Sequence, residues 1–183
     1  MRLLSALSII LVLNACQPSK PAESLLIQPN QIGLLQKDTP IYTLDSIFKN
    51  DSVVKRRINS RFSSQDEFIV YSKEGQERLV LIPKNDFDST STVANIQIKD
   101  SLFHTEKGIS IQSTFKKIQE HYKISRIENT VRTAVIFLND QNLYLSIDKE
   151  FVSGDARYNT NLPIESSQIK DDATIKHFYL GWD

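Results

Sequence analysis

The chain has 183 residues, with 22 Lys and Arg against 22 Asp and Glu, 40% of them hydrophobic and 24% charged. So even a charge balance leaves no electrostatic case for nucleic acid, and the ordinary apolar content argues against disorder. A chain of this length buries about 70% of its extended-chain surface, enough for one good core or two small coupled ones. A single cysteine excludes a disulfide framework.

The first fifteen residues, MRLLSALSIILVLNA, place Arg2 before an almost unbroken apolar run from Leu3 to Leu13. That run reads as a signal-peptide h-region, shorter than the roughly 18 apolar residues a membrane helix needs, and no later segment reaches that length. Leu13, Asn14, Ala15 and Cys16 resemble the lipobox of bacterial lipoproteins, although Asn14 is an unusual choice there. The resemblance implies that residues 1–15 are removed and that Cys16, diacylated, becomes the first residue of the mature protein. The competing reading is an ordinary secretory signal beside a chance cysteine. Each buried methylene contributes roughly 0.8 kcal/mol, so two or three acyl chains on Cys16 hold a protein on the membrane nearly irreversibly. Residues 17–24, QPSKPAES, carry two prolines and small polar side chains, so residues 16–24 read as a lipidated cysteine and flexible tether. In enterobacteria an aspartate directly after the cysteine retains lipoproteins at the inner membrane; Gln17 does not match, which points to the outer membrane.

After Gly33-Leu34-Leu35 comes TPIYTLDSIF, whose spacing predicts a helix. Thr39 is its expected cap, and Pro40 takes the first helical position, where a missing N–H does no harm. Ile41, Leu44 and Phe48 fall at i, i+3 and i+7 on one face. A polar stretch follows. Residues 67–72 (EFIVYS) and 77–83 (ERLVLIP) then form a predicted hairpin around Lys73-Glu74-Gly75-Gln76, with glycine where a positive φ is needed. In residues 93–99, Ala94, Ile96 and Ile98 alternate with Val93, Asn95, Gln97 and Lys99, predicting one buried face and one wet face. A second helix is predicted in STFKKIQEHY, with Ser113 or Thr114 as cap and Phe115, Ile118 and Tyr122 on one face. A second hairpin joins residues 131–138 (VRTAVIFL) to 143–148 (LYLSID) through Asn139-Asp140-Gln141-Asn142. At the C-terminus Phe178, Leu180 and Trp182 share one face of a strand and read as core, with a sheet-edge Trp182 as an exposed anchor for the alternative.

Ile41 with Phe115, Leu44 with Ile118 and Phe48 with Tyr122 give one offset of 74 residues, and Gly33 and Gly108 agree to within one position. The correspondence reads as a tandem duplication, units 25–104 and 105–183, against the alternative that any two amphipathic βα units look alike. The expected fold is α+β: antiparallel β-meanders, each packed with one short helix. Two passages carry a family resemblance. DSLFHTEKGISIQSTFKKIQEHY (100–122) resembles a strand, turn, strand and capped helix frequent in uncharacterised bacterial envelope lipoproteins, and DDATIKHFYLGWD (171–183) is similar to their closing strand. More distantly, the unit resembles the β-lactamase inhibitor protein and small outer-membrane assembly lipoproteins. The resemblance implies fold and supplies no catalytic residue.

Motifs for chemistry are missing. His104, His121 and His177 form no H-x-x-x-H or H-E-x-x-H pair, and a lipidated Cys16 is neither nucleophile nor ligand. No G-x-S-x-G elbow, phosphate loop or dinucleotide fingerprint occurs. Asp86 with Asp88, and Asp171 with Asp172, lack the glycine and closing glutamate of a calcium loop and read as turn carboxylates. The sequence therefore predicts a protein without catalytic site, metal or cofactor.

One feature favours binding. Both hairpins are apolar on both faces: Phe68 and Val70 against Ile69 and Tyr71, Leu79 and Leu81 against Val80 and Ile82, Val135 and Phe137 against Ala134, Ile136 and Leu138. Helices on one side of a sheet bury one face only. Either the repeats pack on each other, or one face is an exposed platform for a protein or lipid. The expected function is a membrane-anchored, non-catalytic lipoprotein that binds a protein partner or supports an envelope assembly. The alternative is a carrier of a small apolar ligand or lipid in a pocket between helices and sheet. The anchor is directly testable. Cys16→Ala is expected to stop lipid attachment and release the folded part from the membrane fraction, and metabolic labelling with a fatty acid that still marked the variant would overturn the lipobox assignment.

Overall fold

The computed structural model covers residues 25–59 and 64–182, so the expected signal peptide, Cys16 and the tether lie outside the described residues. Among these, the chain is α+β, with mostly antiparallel strands and two short helices. The large sheet holds β4 (Ser52–Asn59), β5 (Ser64–Tyr71), β6 (Glu77–Pro83), β7 (Val93–Ile98), β9 (Arg126–Asn129), β10 (Thr133–Leu138), β11 (Leu143–Asp148) and β12 (His177–Gly181). Their order is β4-β5-β6-β7-β12-β11-β10-β9, with every neighbouring pair antiparallel. Two four-stranded meanders thus meet at their last strands. A small sheet, β3-β2-β1-β8, is built from β1 (Leu26–Gln28), β2 (Gln31–Ile32), β3 (Leu35–Gln36) and β8 (His104–Thr105), with β1 and β8 parallel.

Both predicted hairpins form. Gly75 takes φ 81° in the first turn, and Asn142 takes φ 54° in the second, a conformation asparagine tolerates better than most residues. Strands β4 and β9 occupy stretches that the sequence reading left as polar connections. The alternation expected of β7 also needs correction. The β6–β7 register shifts between Ile82 and Pro83, so Pro83 faces Val93 and Ala94 is the extra residue. This bulge turns Val93 inward beside Ile96 and Ile98 and leaves Ala94 half-buried.

The second helix, α2 (Phe115–His121), is capped by Thr114, whose hydroxyl accepts from the Lys117 N–H. Phe115 and Ile118 are fully buried. The first is shorter than expected: a 3₁₀ turn, Ile41–Thr43, passes into one α-helical turn, α1 (Leu44–Ile47). Thr39 is not its cap and Pro40 is not its first residue. Pro40 stands extended at ψ 144° in a β-bridge with Thr92, and the Ile41 and Tyr42 N–H groups donate to Ser91 and Ser89 carbonyls. These bonds hold the start of the segment in a strand-like conformation, so helix begins late and β4 follows at Ser52. The other half has the same tie: Thr114 bridges Thr174, and Phe115 and Lys116 donate to the carbonyls of Ala173 and Asp171.

The core lies between the large sheet and the layer of helices, small sheet and connections. It joins Ile27, Leu35, Leu44, Phe115 and Ile118 to Leu79, Leu81, Ile96, Phe178, Leu145 and Ile136 in one continuous cluster. Trp182 belongs to it: the ring is fully buried and Nε1 donates to the Pro29 carbonyl at 2.9 Å. The exposed-anchor alternative for Trp182 fails because β12 lies inside the sheet, not at its edge. No helix among the described residues is long and apolar enough to cross a membrane.

One buried cation fastens the 149–165 connection. Lys149 donates to the side-chain oxygen of Asn129 and to the Ala156 carbonyl, and no carboxylate pairs with it among the described residues. The Asn129 amide meanwhile donates to the carbonyls of Ala156, Asn159 and Leu162.

Two predictions follow from this packing. Phe115→Ala and Leu44→Ala are expected to destabilise by about 2 to 5 kcal/mol each in denaturant titrations, since each empties a closed site; shifts below about 1 kcal/mol contradict the packing. Burial holds Lys149 below its ordinary 10.5. Between the folded value and 10.5 the unfolded chain holds more protons, so stability rises with pH through that window. The melting temperature of the wild type should accordingly climb relative to that of Lys149→Met as the pH approaches 10.5, whereas parallel curves would show that Lys149 is not desolvated.

Candidate functional site

Strand periodicity divides the two-sided apolar hairpins cleanly. Phe68, Val70, Leu79, Leu81, Ala134, Ile136 and Leu138 face the helices and belong to the core or pack against it. Their alternates face the other way. Register places Val54, Ile69, Val80, Gln97, Tyr179, Tyr144, Phe137 and Arg126 in one cross-strand row that spans all eight strands. Ile69 and Val80 are only 1% and 4% exposed yet stand apart from the main core cluster, while Val54 at the end of the row is 47% exposed. On this second face Ile69 and Val80 are buried, and the apolar side chains that reach solvent are Val54 and the half-buried Phe137, Tyr144 and Tyr179.

Its other half is an aromatic ladder. Phe137 and Tyr144 stack with centroids 5.6 Å apart, and Tyr144 and Tyr179 stack at 4.7 Å with ring planes 10° apart. The Arg126 guanidinium covers the outer end, 3.7 Å from the Phe137 centroid. Stacked side by side on adjacent strands, the rings are half-buried and the tyrosines point their hydroxyls along the sheet toward β7. The hydroxyls are fixed too: Asn95 Nδ2 donates to the Tyr144 hydroxyl, and Gln97 Nε2 donates to the Tyr179 hydroxyl at 3.2 Å. Gln97 Nε2 also lies 3.2 Å from His177 Nδ1.

Burial, then the positive charges of Lys99 and Lys176, hold His177 below its ordinary value, and burial pushes the Tyr179 phenol up. Ion pairs stand at the two ends, Arg56 with Glu67 at 2.8 Å and Arg126 with Glu128, and a further pair, Lys176 with Asp148 at 2.6 Å, stands beside His177. Aromatic and aliphatic side chains set among ion pairs resemble the mixed surface of a protein-binding face. With rotamers locked by stacking and hydrogen bonds, the tyrosines lose little side-chain freedom when a partner covers them.

The histidines and paired aspartates are distributed otherwise. His104 Nδ1 lies 2.7 Å from the Leu102 carbonyl, exposed His121 ends α2, and only His177 belongs to the open face. Asp88 accepts from the Thr90 N–H and hydroxyl, Asp86 accepts from the Asp66 N–H, and Asp171 and Asp172 are exposed in a turn. No group of three or more His, Cys, Asp or Glu able to hold a metal occurs among the described residues. Sequence reasoning missed Tyr144 and Tyr179 as functional candidates. Their signal was present: each alternates with leucines and a phenylalanine that the core takes, so period two alone turns them outward.

No protein-family model matches the chain, and no curated protein matches it. A solved structure, that of the uncharacterized protein yfeY from Escherichia coli, is similar to 85% of this chain and 99% of its own, with a TM-score of 0.57 at 13% identity. At that identity the likeness is one of fold.

Proposed function

We propose that this protein is a non-catalytic cell-envelope lipoprotein, held on the outer membrane by lipid on Cys16, that docks another envelope protein on the open face of its eight-stranded sheet. The carrying observation is the row from Val54 to Arg126, which leaves isoleucine, valine and stacked tyrosines on the side away from the helices. The anchoring half of the reading rests on the h-region, on Ala15-Cys16 and on the proline-containing tether. We also read the two halves as a tandem duplication. Its support is the shared meander order, the 74-residue offset of Pro40 and Thr114, and the same bridge at both positions, to Thr92 and to Thr174.

Photo-crosslinking in cells tests the docking face. A photoreactive residue at Tyr71 or Val135 is expected to capture one discrete envelope protein, and the same residue at Lys116, on the helix side, is not. Val54→Glu and Phe137→Glu should abolish that adduct while changing stability by less than about 1 kcal/mol, as partly exposed positions allow. Equal adducts from both sides, or loss of folding in both variants, would remove the open face as the site.

A further inference from the structure

We propose that the cleft between the first helical segment and the β4 end of the sheet binds an organic cation, a small amine carried on an apolar body. The cleft lies on the helix side, away from the open face, so this inference stands apart from the docking reading. It has a volume of about 320 Å³ and an apolar floor of Ile41, Leu44, Val53, Phe68 and Pro83.

Its two lips are exposed aromatics, Tyr42 at 66% and Phe87 at 77%. Phe87 stands at φ 63°, in the left-handed region that a side chain of this kind rarely adopts. Backbone in that state persists where its surroundings over-determine it, and such positions cluster at ligand clamps. Here the surroundings are an ion cluster around the buried Asp66 carboxylate. Asp66 pairs with Lys55 at 2.9 Å and accepts from Arg57 Nε at 2.8 Å. The Oδ2 that pairs with Lys55 also accepts from the Phe87 N–H at 3.5 Å, and the Arg57 guanidinium lies 3.6 Å from the centroid of the Phe87 ring. A phenylalanine is thus held out of the core by several specific contacts.

The sign of the ligand follows from the charges. Two cations, Lys55 and Arg57, stand against three carboxylates, Asp66, Asp45 and Asp88, so the balance around the cleft is negative by one charge. The aromatic faces of Tyr42 and Phe87 add to the attraction for a cation and repel an anion. Fatty acids and phosphate esters, although they suit the apolar floor, would bring their charge against that negative balance.

Three ligands with one body isolate the head group: 4-phenylbutylamine, 4-phenylbutanol and 4-phenylbutyrate, titrated calorimetrically into the purified full chain. The amine is expected to bind most tightly and the carboxylate least. Phe87→Gly, which keeps the positive φ while removing the ring, should weaken the amine by about threefold to tenfold, the size of a cation–aromatic contact, without lowering the melting temperature. Asp45→Asn should narrow the gap between amine and alcohol, and serves as the test should the glycine variant unfold. The proposal is overturned if the amine shows no saturable binding by about 10 mM. It is equally overturned if carboxylate and amine bind alike, or if neither variant changes the order.

Discussion

The pairing of β12 with β7 makes one sheet out of two meanders. Phe178 lies against Ile98 and Leu180 against Ile96 on the core side, Tyr179 against Gln97 on the open side, and the Trp182 N–H reaches the Ala94 carbonyl at 2.7 Å. Without this seam β7 and β11 would each present an unpaired edge, and the aromatic ladder would end at Tyr144. The strand that closes the seam, His177–Gly181, comes last in the chain, and its partner β7 lies about eighty residues earlier. The sheet, the single core and the open face therefore share this one long-range seam.

That closure gives the two faces opposite rules. On the helix side the residues are aliphatic, with Phe115, Phe178 and Trp182 filling the deepest positions, and the only polar intrusions are compensated at once, as where Lys149 meets Asn129. On the other side, aromatic side chains run across adjacent strands and polar ones restrain them. Cross-strand stacking of Tyr144 on Phe137 and Tyr179 contributes to the sheet itself, roughly 0.2 to 1 kcal/mol for each pair. The ladder is thus part of the scaffold before it is part of any interface.

Alternation made the hairpins, the α2 cap and the inward set of β5, β6 and β10 readable from the sequence. The strand β4 was not readable, because Lys55-Arg56-Arg57 breaks the apolar pattern; its partners are the acids Asp66 and Glu67 on β5, which only the register reveals. The first helix misled because Pro40 fits a first helical position in sequence while the bridge to Thr92 takes it as strand. Val93 misled because a bulge changes parity without leaving a glycine or proline at the site. Of the candidate surface, Ile69, Val80 and Phe137 were legible as an apolar excess. The ladder was not, since Tyr144 and Tyr179 are about thirty-five residues apart and meet only because β12 returns beside β11.

The tether bears on who can reach the open face. In the lipoprotein reading, the nine residue steps from Cys16 to Leu25 span at most about 30 Å when extended. Leu25 packs against the core, and β1 directly after it lies in the layer on the helix side, where Pro29 receives both the Trp182 indole and the Asn142 amide. On that reading the anchor and the proposed cleft would share the helix side of the sheet, and the aromatic ladder, with any partner docked on it, would lie on the other.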